Sequence, residues 1–339
     1  MLTDKIMKRI LIILTLILFS FGCRYAAPTE KHQKNRDRIV NIHDKIQEID
    51  IGDLLVGSIA KVYVMDECFF IMDYKAYDDQ LHVFDKAFKH VCSGIRKGRG
   101  PGEIIIPGEP IIDEAHRVFY VPDYGKQTIF CYKLDEFIAD STYIPASKMN
   151  LNTKQFPSKS QFISEDLLLG VIIEPIGNSS YKQSLAKWDM NNGEIIPMPY
   201  EHPDIERRRV DFAVSCQTGL YVEVYHHHDL MTICSLDGLL KYNIYGPKWD
   251  SRTSNAFIFY DKPLFCRDRI IVSYSGGKND FDESYPTKLV LFDLEGNYIK
   301  TLETGYKISD FCYDEKSDRL ILSLNDEIQF AYLDLDEIK

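Results

Sequence analysis

The chain has 339 residues, 45% of them hydrophobic, and a formal net charge of −11. That length holds one large β domain or two ordinary ones, and the apolar content is enough for a sizeable core. The acidic balance weighs against a nucleic-acid partner, which would want a basic face, and against adhesion to anionic lipid through the globular surface.

The N-terminus reads as an export signal. Lys8-Arg9 precedes Ile10 to Phe21, a run in which only Thr15 and Ser20 are polar, and Gly22-Cys23 follows. A basic start, a short apolar stretch and a small residue before the cut make a secretory signal, too short to span a bilayer as a helix. Met7 is an alternative start. The cysteine directly after Gly22 predicts a lipobox, with residues 1–22 removed and Cys23 diacylated. The alternative is a plain signal peptide with an incidental cysteine. Residues 23–38, polar and without periodicity, are expected to form a flexible tether.

Seven further cysteines, an odd number, follow without a Cys-x-x-Cys. Most sit in apolar segments such as Cys68-Phe-Phe-Ile and Phe311-Cys312-Tyr313, where they read as small buried hydrophobes.

From Ile39 onward no long helical pattern occurs. Short strands alternate with turns, and one hairpin signal recurs: an apolar strand ending in Asp at Asp85, Asp135, Asp189, Asp237, Asp293 and Asp334. These positions advance by 50, 54, 48, 56 and 41 residues. A period near fifty, made only of strands, predicts an all-β, six-bladed β-propeller with four-stranded blades over 39–339. The blades are expected at about 55–105, 106–150, 151–200, 201–250, 251–303 and 304–339. The last is one strand short. Ile39–Ile49 is expected to supply that strand and so close the ring, which removes exposed edges. A seven-bladed ring or a two-sheet sandwich is the alternative.

Gly94 to Phe130 is the most distinctive stretch. Gly98-Arg-Gly-Pro-Gly-Glu103 supplies glycines for positive φ or close backbone approach, with Pro101-Gly102 suited to a type II turn. Strands at Ile111–Asp113, Val118–Val121 and Thr128–Tyr132 follow. The order of glycine run, later proline, strand, Val-x-Asp and Ile-aromatic strand resembles an NHL-type propeller repeat. It is similar to the TolB-like and NHL-like propeller lipoproteins of Gram-negative envelopes. That resemblance implies an outer-membrane lipoprotein of the cell envelope; Arg24-Tyr-Ala-Ala after Cys23 lacks the acidic run of some surface-exported lipoproteins, which favours the periplasmic face, with surface exposure left open.

Candidate chemistry is sparse. The glycine run lacks the Gly-Lys-Ser/Thr ending and the helix that a phosphate loop needs. Arg99, and the loop carrying His202, Arg207, Arg208 and Arg209 ahead of blade four, are candidates for gripping an anionic ligand. His226, His228 and Asp229 are the candidate metal set, since alternate strand residues share a face. The acidic turns Tyr77-Asp78-Asp79 and Asn279-Asp-Phe-Asp-Glu283 could take Ca²⁺; otherwise no cofactor is expected. Gly-x-Ser-x-Gly and His-Glu-x-x-His are absent from the sequence. The expected role is therefore a non-catalytic binding module for an envelope protein, peptide or glycan, touching the membrane through its lipid alone. A metal-dependent propeller hydrolase or lyase with its site at the channel mouth is the alternative.

The anchor is testable directly. Cys23→Ser should move the protein from the membrane fraction to the soluble periplasmic or medium fraction, and intact mass should show the loss of a diacylglyceryl group.

Overall fold

The computed structural model describes residues 29–338, apart from Ser141, Asn178, Ser179, Glu206, Arg207, Thr253 and Asp282. Cys23 and the signal segment lie outside the described residues. Six sheets follow one another along the chain, each a meander of four antiparallel strands in its basic plan. Blade one comprises Ala60–Met65, Cys68–Asp73, Asp79–Asp85 and His90–Arg96. Blade two comprises Ile111–Asp113, Val118–Asp123, Thr128–Lys133 and Ala146–Asn150, with a short helix, Leu134–Ala139, before its last strand. Blade three uses Phe156–Phe162, Leu167–Ile176, Ser180–Asp189 and Ile195–Pro197; blade four uses Val210–Ser215, Leu220–Tyr225, Leu230–Ser235 and Leu240–Tyr245. Blade five uses Phe257–Cys266, Arg269–Lys278, Lys288–Asp293 and Tyr298–Glu303. Blade six has Ile308–Asp314, Arg319–Leu324 and Phe330–Asp334, and takes Gln47–Glu48 as its fourth strand.

The first strand of every blade lines a central channel. The apolar core is six separate clusters, one at each blade–blade interface. Phe70, Phe119 and Tyr132 pack between blades one and two, and Leu291, Phe311 and Leu322 between five and six. Middle strands are thus covered on both faces, which is why they read as continuous apolar runs: all of Cys68–Asp73 is buried. The six hairpin aspartates mark the turns or helix after each third strand. Asp85 shows how they act, accepting the Ala87 and Lys89 N–H groups at 2.9 Å each.

Ring closure holds, through a shorter pairing than expected. Gln47 faces Tyr332 and Glu48 faces Ala331 in antiparallel register. Ile39–Asn41 instead adds a parallel fifth strand to blade five, against Thr301–Glu303.

The flexible tether expected over 23–38 is corrected for its described part. Glu30–His32 pairs in parallel with Asn243–Tyr245 at the outer edge of blade four. The segment from Thr29 to Ile49 is therefore a strap across three consecutive blades. Its anchor is Arg36, whose side chain is only 8% exposed. The guanidinium bonds Asp229 at 3.1 Å and the Tyr260 hydroxyl at 2.5 Å, and lies against the rings of Tyr274 and Phe292. No sequence pattern flags this, because the partners come from blades four and five.

Arg36→Met should destabilise the protein by about 3–5 kcal/mol, because it leaves the fully buried Asp229 carboxylate uncompensated. Lys34→Met, on the exposed side of the same strap, should leave the urea midpoint unchanged.

Candidate functional site

The glycine run is a folded scaffold. Glu103 turns back so that its carboxylate accepts the Gly100 N–H at 2.6 Å, and a Cβ on Gly98 would lie 2.0 Å from that carboxylate. Lys126 Nζ then bonds the Gly100 and Glu103 carbonyls at 2.8 and 2.6 Å. Gly102 has φ +75°, as the Pro-Gly turn requires. Asp123, the aspartate of Val-x-Asp, is fully buried and accepts the N–H groups of Ile105, Ile106 and Gly125. The motif residues thus tie the incoming loop of blade two to its second strand. Arg99 sits exposed on this loop.

The loop ahead of blade four borders a cavity of about 510 Å³ with the long hairpin of blade three. Arg209 is on its rim, with its guanidinium 4.1 Å from the Tyr181 ring centroid. Arg208 and His202 are not free to grip a ligand as the sequence suggested. Arg208 is held by both oxygens of the buried Glu223, with Nε–Oε1 at 2.6 Å. His202 is buried, bonds the Tyr245 hydroxyl at 2.9 Å, and is pulled below the ordinary histidine pKa by that burial. Arg207 lies outside the described residues.

The metal set also disperses. His226 to Asp229 form a turn between strands, so the alternation that would put His226 and His228 on one face does not apply. The Nδ1 atoms of His226, His227 and His228 face three different carbonyls, those of Tyr260, Phe257 and Asp250. Asp229 is held by Arg36 and the Lys248 N–H. In the acidic turns, Asp78 and Asp79 lie near Arg96, Asp280 accepts the Glu283 N–H, and Glu283 accepts the Lys278 N–H. Asp282 lies outside the described residues. Among the described residues no group of three His, Cys, Asp or Glu is arranged to hold a metal ion.

What the sequence reading missed lies on the axis. Every innermost strand, or the loop leading into it, brings a paired charge to the channel: Lys61, Glu109, Lys159, Asp211, Lys262 and Asp310 in blades one to six, with Asp261 of blade five in addition. The signs alternate round the ring. Adjacent blades join through Lys61–Glu109, Lys159–Asp211 and Lys262–Asp310, the last at 2.7 Å. Asp310 also accepts the Val62 N–H at 2.9 Å, so blade six is tied to blade one as well. Burial alone would lower the lysine pKa values. Glu109 and Asp310 outweigh it at Lys61, and Asp310 does so at Lys262, so both ammoniums are held above the ordinary lysine value. Burial would likewise raise Asp211, yet Lys159 and Lys61 hold it below the usual carboxylate value. The signal was present in the sequence: paired members recur 48 or 52 residues apart, at the blade period.

The ring separates two cavities. One, of about 450 Å³, is walled by Val64, Phe162, Val214, Phe265 and Tyr313. The other, of about 320 Å³, opens beside Lys61, His226 and Asp261 on the face where the innermost strands begin. We call this the upper face. The connections between blades and the turns after each second strand lie here. So do Leu55 at 94% exposure, Tyr77 at 99% and Phe281 at 79%, with Ile59, Ile106, Ile176, Tyr181 and Phe257 also exposed. Elsewhere among the described residues the exposed large apolar side chains are Leu239, Ile144, Ile39, Ile196, Val91 and Val40, none more than 64% exposed.

A family profile described as a 6-bladed β-propeller, DUF5128, matches residues 52–156, the part that builds blades one and two. The chain is a six-bladed β-propeller. No curated protein sequence matches it. Among solved structures it is similar to a DUF4221 family member from Bacteroides vulgatus, 10% identical with TM-score 0.58, covering 85% of this chain and 94% of that one. It is similar to regucalcin from Agrobacterium tumefaciens, described as a calcium-binding protein: 10% identity, TM-score 0.53, coverage 91% and 95%. It is similar too to a gluconolactonase from Xanthomonas campestris, at 11% identity and TM-score 0.54, covering 92% and 98%. At these identities the likeness is one of fold.

Asp310→Ala tests the axial ring. It strands the Lys262 ammonium and the Val62 N–H together, and should cost about 3–5 kcal/mol in urea unfolding. Asp310→Asn, which can still accept the Val62 N–H, should cost measurably less.

Proposed function

We propose that this propeller is an envelope-anchored lipoprotein acting as a non-catalytic binding module, with a protein, peptide or glycan held on its upper face. The observation that carries this reading is the placement of the three most exposed large apolar side chains among the described residues: Leu55, Tyr77 and Phe281 project from one face, supplied by different blades and connections. Exposed apolar groups gathered on one face of a rigid scaffold are the mark of an interaction surface. The anchoring part of the proposal rests on Gly22-Cys23 and the apolar run before it.

The competing class is a metal-dependent hydrolase or lyase at the channel mouth. Glu109, Asp211 and Asp310 could join a cation only by giving up a lysine, which leaves Asp261 as the one carboxylate there without a lysine partner. Such chemistry also asks for several convergent carboxylates.

The two classes separate in a melting experiment on the purified full-length protein. A specific cation at about 100 times its Kd adds about 2.7 kcal/mol to stability, several degrees of melting temperature. We expect no shift with Ca²⁺ or Zn²⁺. A saturable shift with stoichiometric uptake would overturn the binding-module reading in favour of the enzyme.

A further inference from the structure

The channel mouth holds one carboxylate too many. Lys61, Lys159 and Lys262 are matched by Glu109, Asp211 and Asp310, while Asp261, next in sequence to Lys262, has no lysine of its own. Its one charged neighbour within 4 Å among the described residues is His226, with Nδ1 at 3.8 Å from Oδ1. That nitrogen is closer to the Tyr260 carbonyl, at 2.8 Å, so it donates there. No protein hydrogen bond reaches the Asp261 carboxylate among the described residues, and its side chain is 41% exposed.

The space in front of Asp261 is the cavity of about 320 Å³ on the upper face. Ser58, Ser284 and Ser309 bring neutral hydroxyls to its wall, and Ile258 and Ile308 bring apolar surface; Lys61 also lines it, with its ammonium already paired to Glu109. A carboxylate without a lysine partner, uncharged hydrogen-bonding groups and aliphatic walls in one open cavity are complementary to a long side chain with a cationic tip. The apolar stem packs on isoleucine, and the head meets the carboxylate. The single free carboxylate suits a monocation better than a divalent ion, which demands several oxygen ligands. Ile59 lines this opening, and the exposed Phe257 and Phe281 belong to the strand and turn of blade five that supply Ile258, Asn279 and Ser284 to it. A cationic anchor entering a pocket surrounded by apolar contacts is the usual anatomy of a binding hot spot.

Resting on the binding-module reading, we propose that the upper face docks a protein partner which inserts an arginine or lysine, flanked by apolar side chains, into the channel mouth against Asp261. The charge of the chain, −11 overall, fits a partner presenting a basic segment.

Calorimetry with the full-length protein at low ionic strength tests this, using Ac-Leu-Arg-Phe-NH₂ and its glutamine counterpart Ac-Leu-Gln-Phe-NH₂ as probes. The arginine peptide should bind at least about tenfold more tightly, a gap of about 1.4 kcal/mol. Asp261→Asn should erase that preference while leaving weak binding of the glutamine peptide unchanged. Equal affinity of the two peptides for the wild-type protein would overturn the inference whether or not the variant folds. Retention of the arginine preference in a folded Asp261→Asn protein would overturn it too. The binding-module reading survives either failure if Ca²⁺ and Zn²⁺ still leave the melting temperature alone. Stoichiometric divalent-cation uptake that requires Asp261 would remove both.

Discussion

Blade six brings only three strands of its own to the ring, and the fourth arrives from the other end of the domain as Gln47–Glu48. Two residues of antiparallel pairing are a small contact, yet the circle depends on it. Each interface buries its cluster only if both neighbouring blades are present. The cluster between blades six and one, with Ile49, Phe69, Ile321 and Phe330, forms only when the ends meet. The strap reinforces this join before it is reached. Glu30–His32 fastens to blade four and Ile39–Asn41 to blade five, so the closing residues are delivered to blade six already aligned.

A second closure operates on the axis. Innermost strands approach one another as wedges, and their inward side chains compete for a narrow space. Filling that space with alternating charges gives each lysine a carboxylate from a neighbouring blade, so desolvation is offset by pairing. The arrangement also carries orientation. A lysine facing a lysine across a blade boundary would be repelled, so the order of signs favours one relative setting of adjacent blades. Asp310 shows the two levels acting together, with one oxygen on the Lys262 ammonium of blade five and the other on the Val62 N–H of blade one.

The result is a body with unequal ends. Apart from the helix of blade two, the lower face is built from short turns, some capped by aspartates such as Asp85. The upper face holds the longer inter-blade connections, the three-histidine turn and nearly all the well-exposed aromatic groups. Connections are where a propeller can vary without disturbing its interfaces.

The sequence alone determined the class and the count. Strands of half-buried or doubly buried composition, and aspartates recurring near every fifty residues, sufficed for six blades and for the need of a closing strand, because strand alternation and turn chemistry are local properties. Tertiary structure decided everything that depends on which blade faces which. Arg208 looks like a free cation in an arginine run until Glu223, on the second strand of the same blade, is seen to hold it. Arg36 looks like part of a solvated tether until Asp229, 193 residues away, is found beneath it. The charges at Lys61, Glu109, Lys159, Asp211, Lys262 and Asp310 look like polar interruptions of apolar strands until the ring brings them to one axis. The blade-period spacing of these pairs is legible in the sequence, but their pairing energies have no local signature, so the closed circle was needed to show that they meet and that Asp261 is left without a lysine.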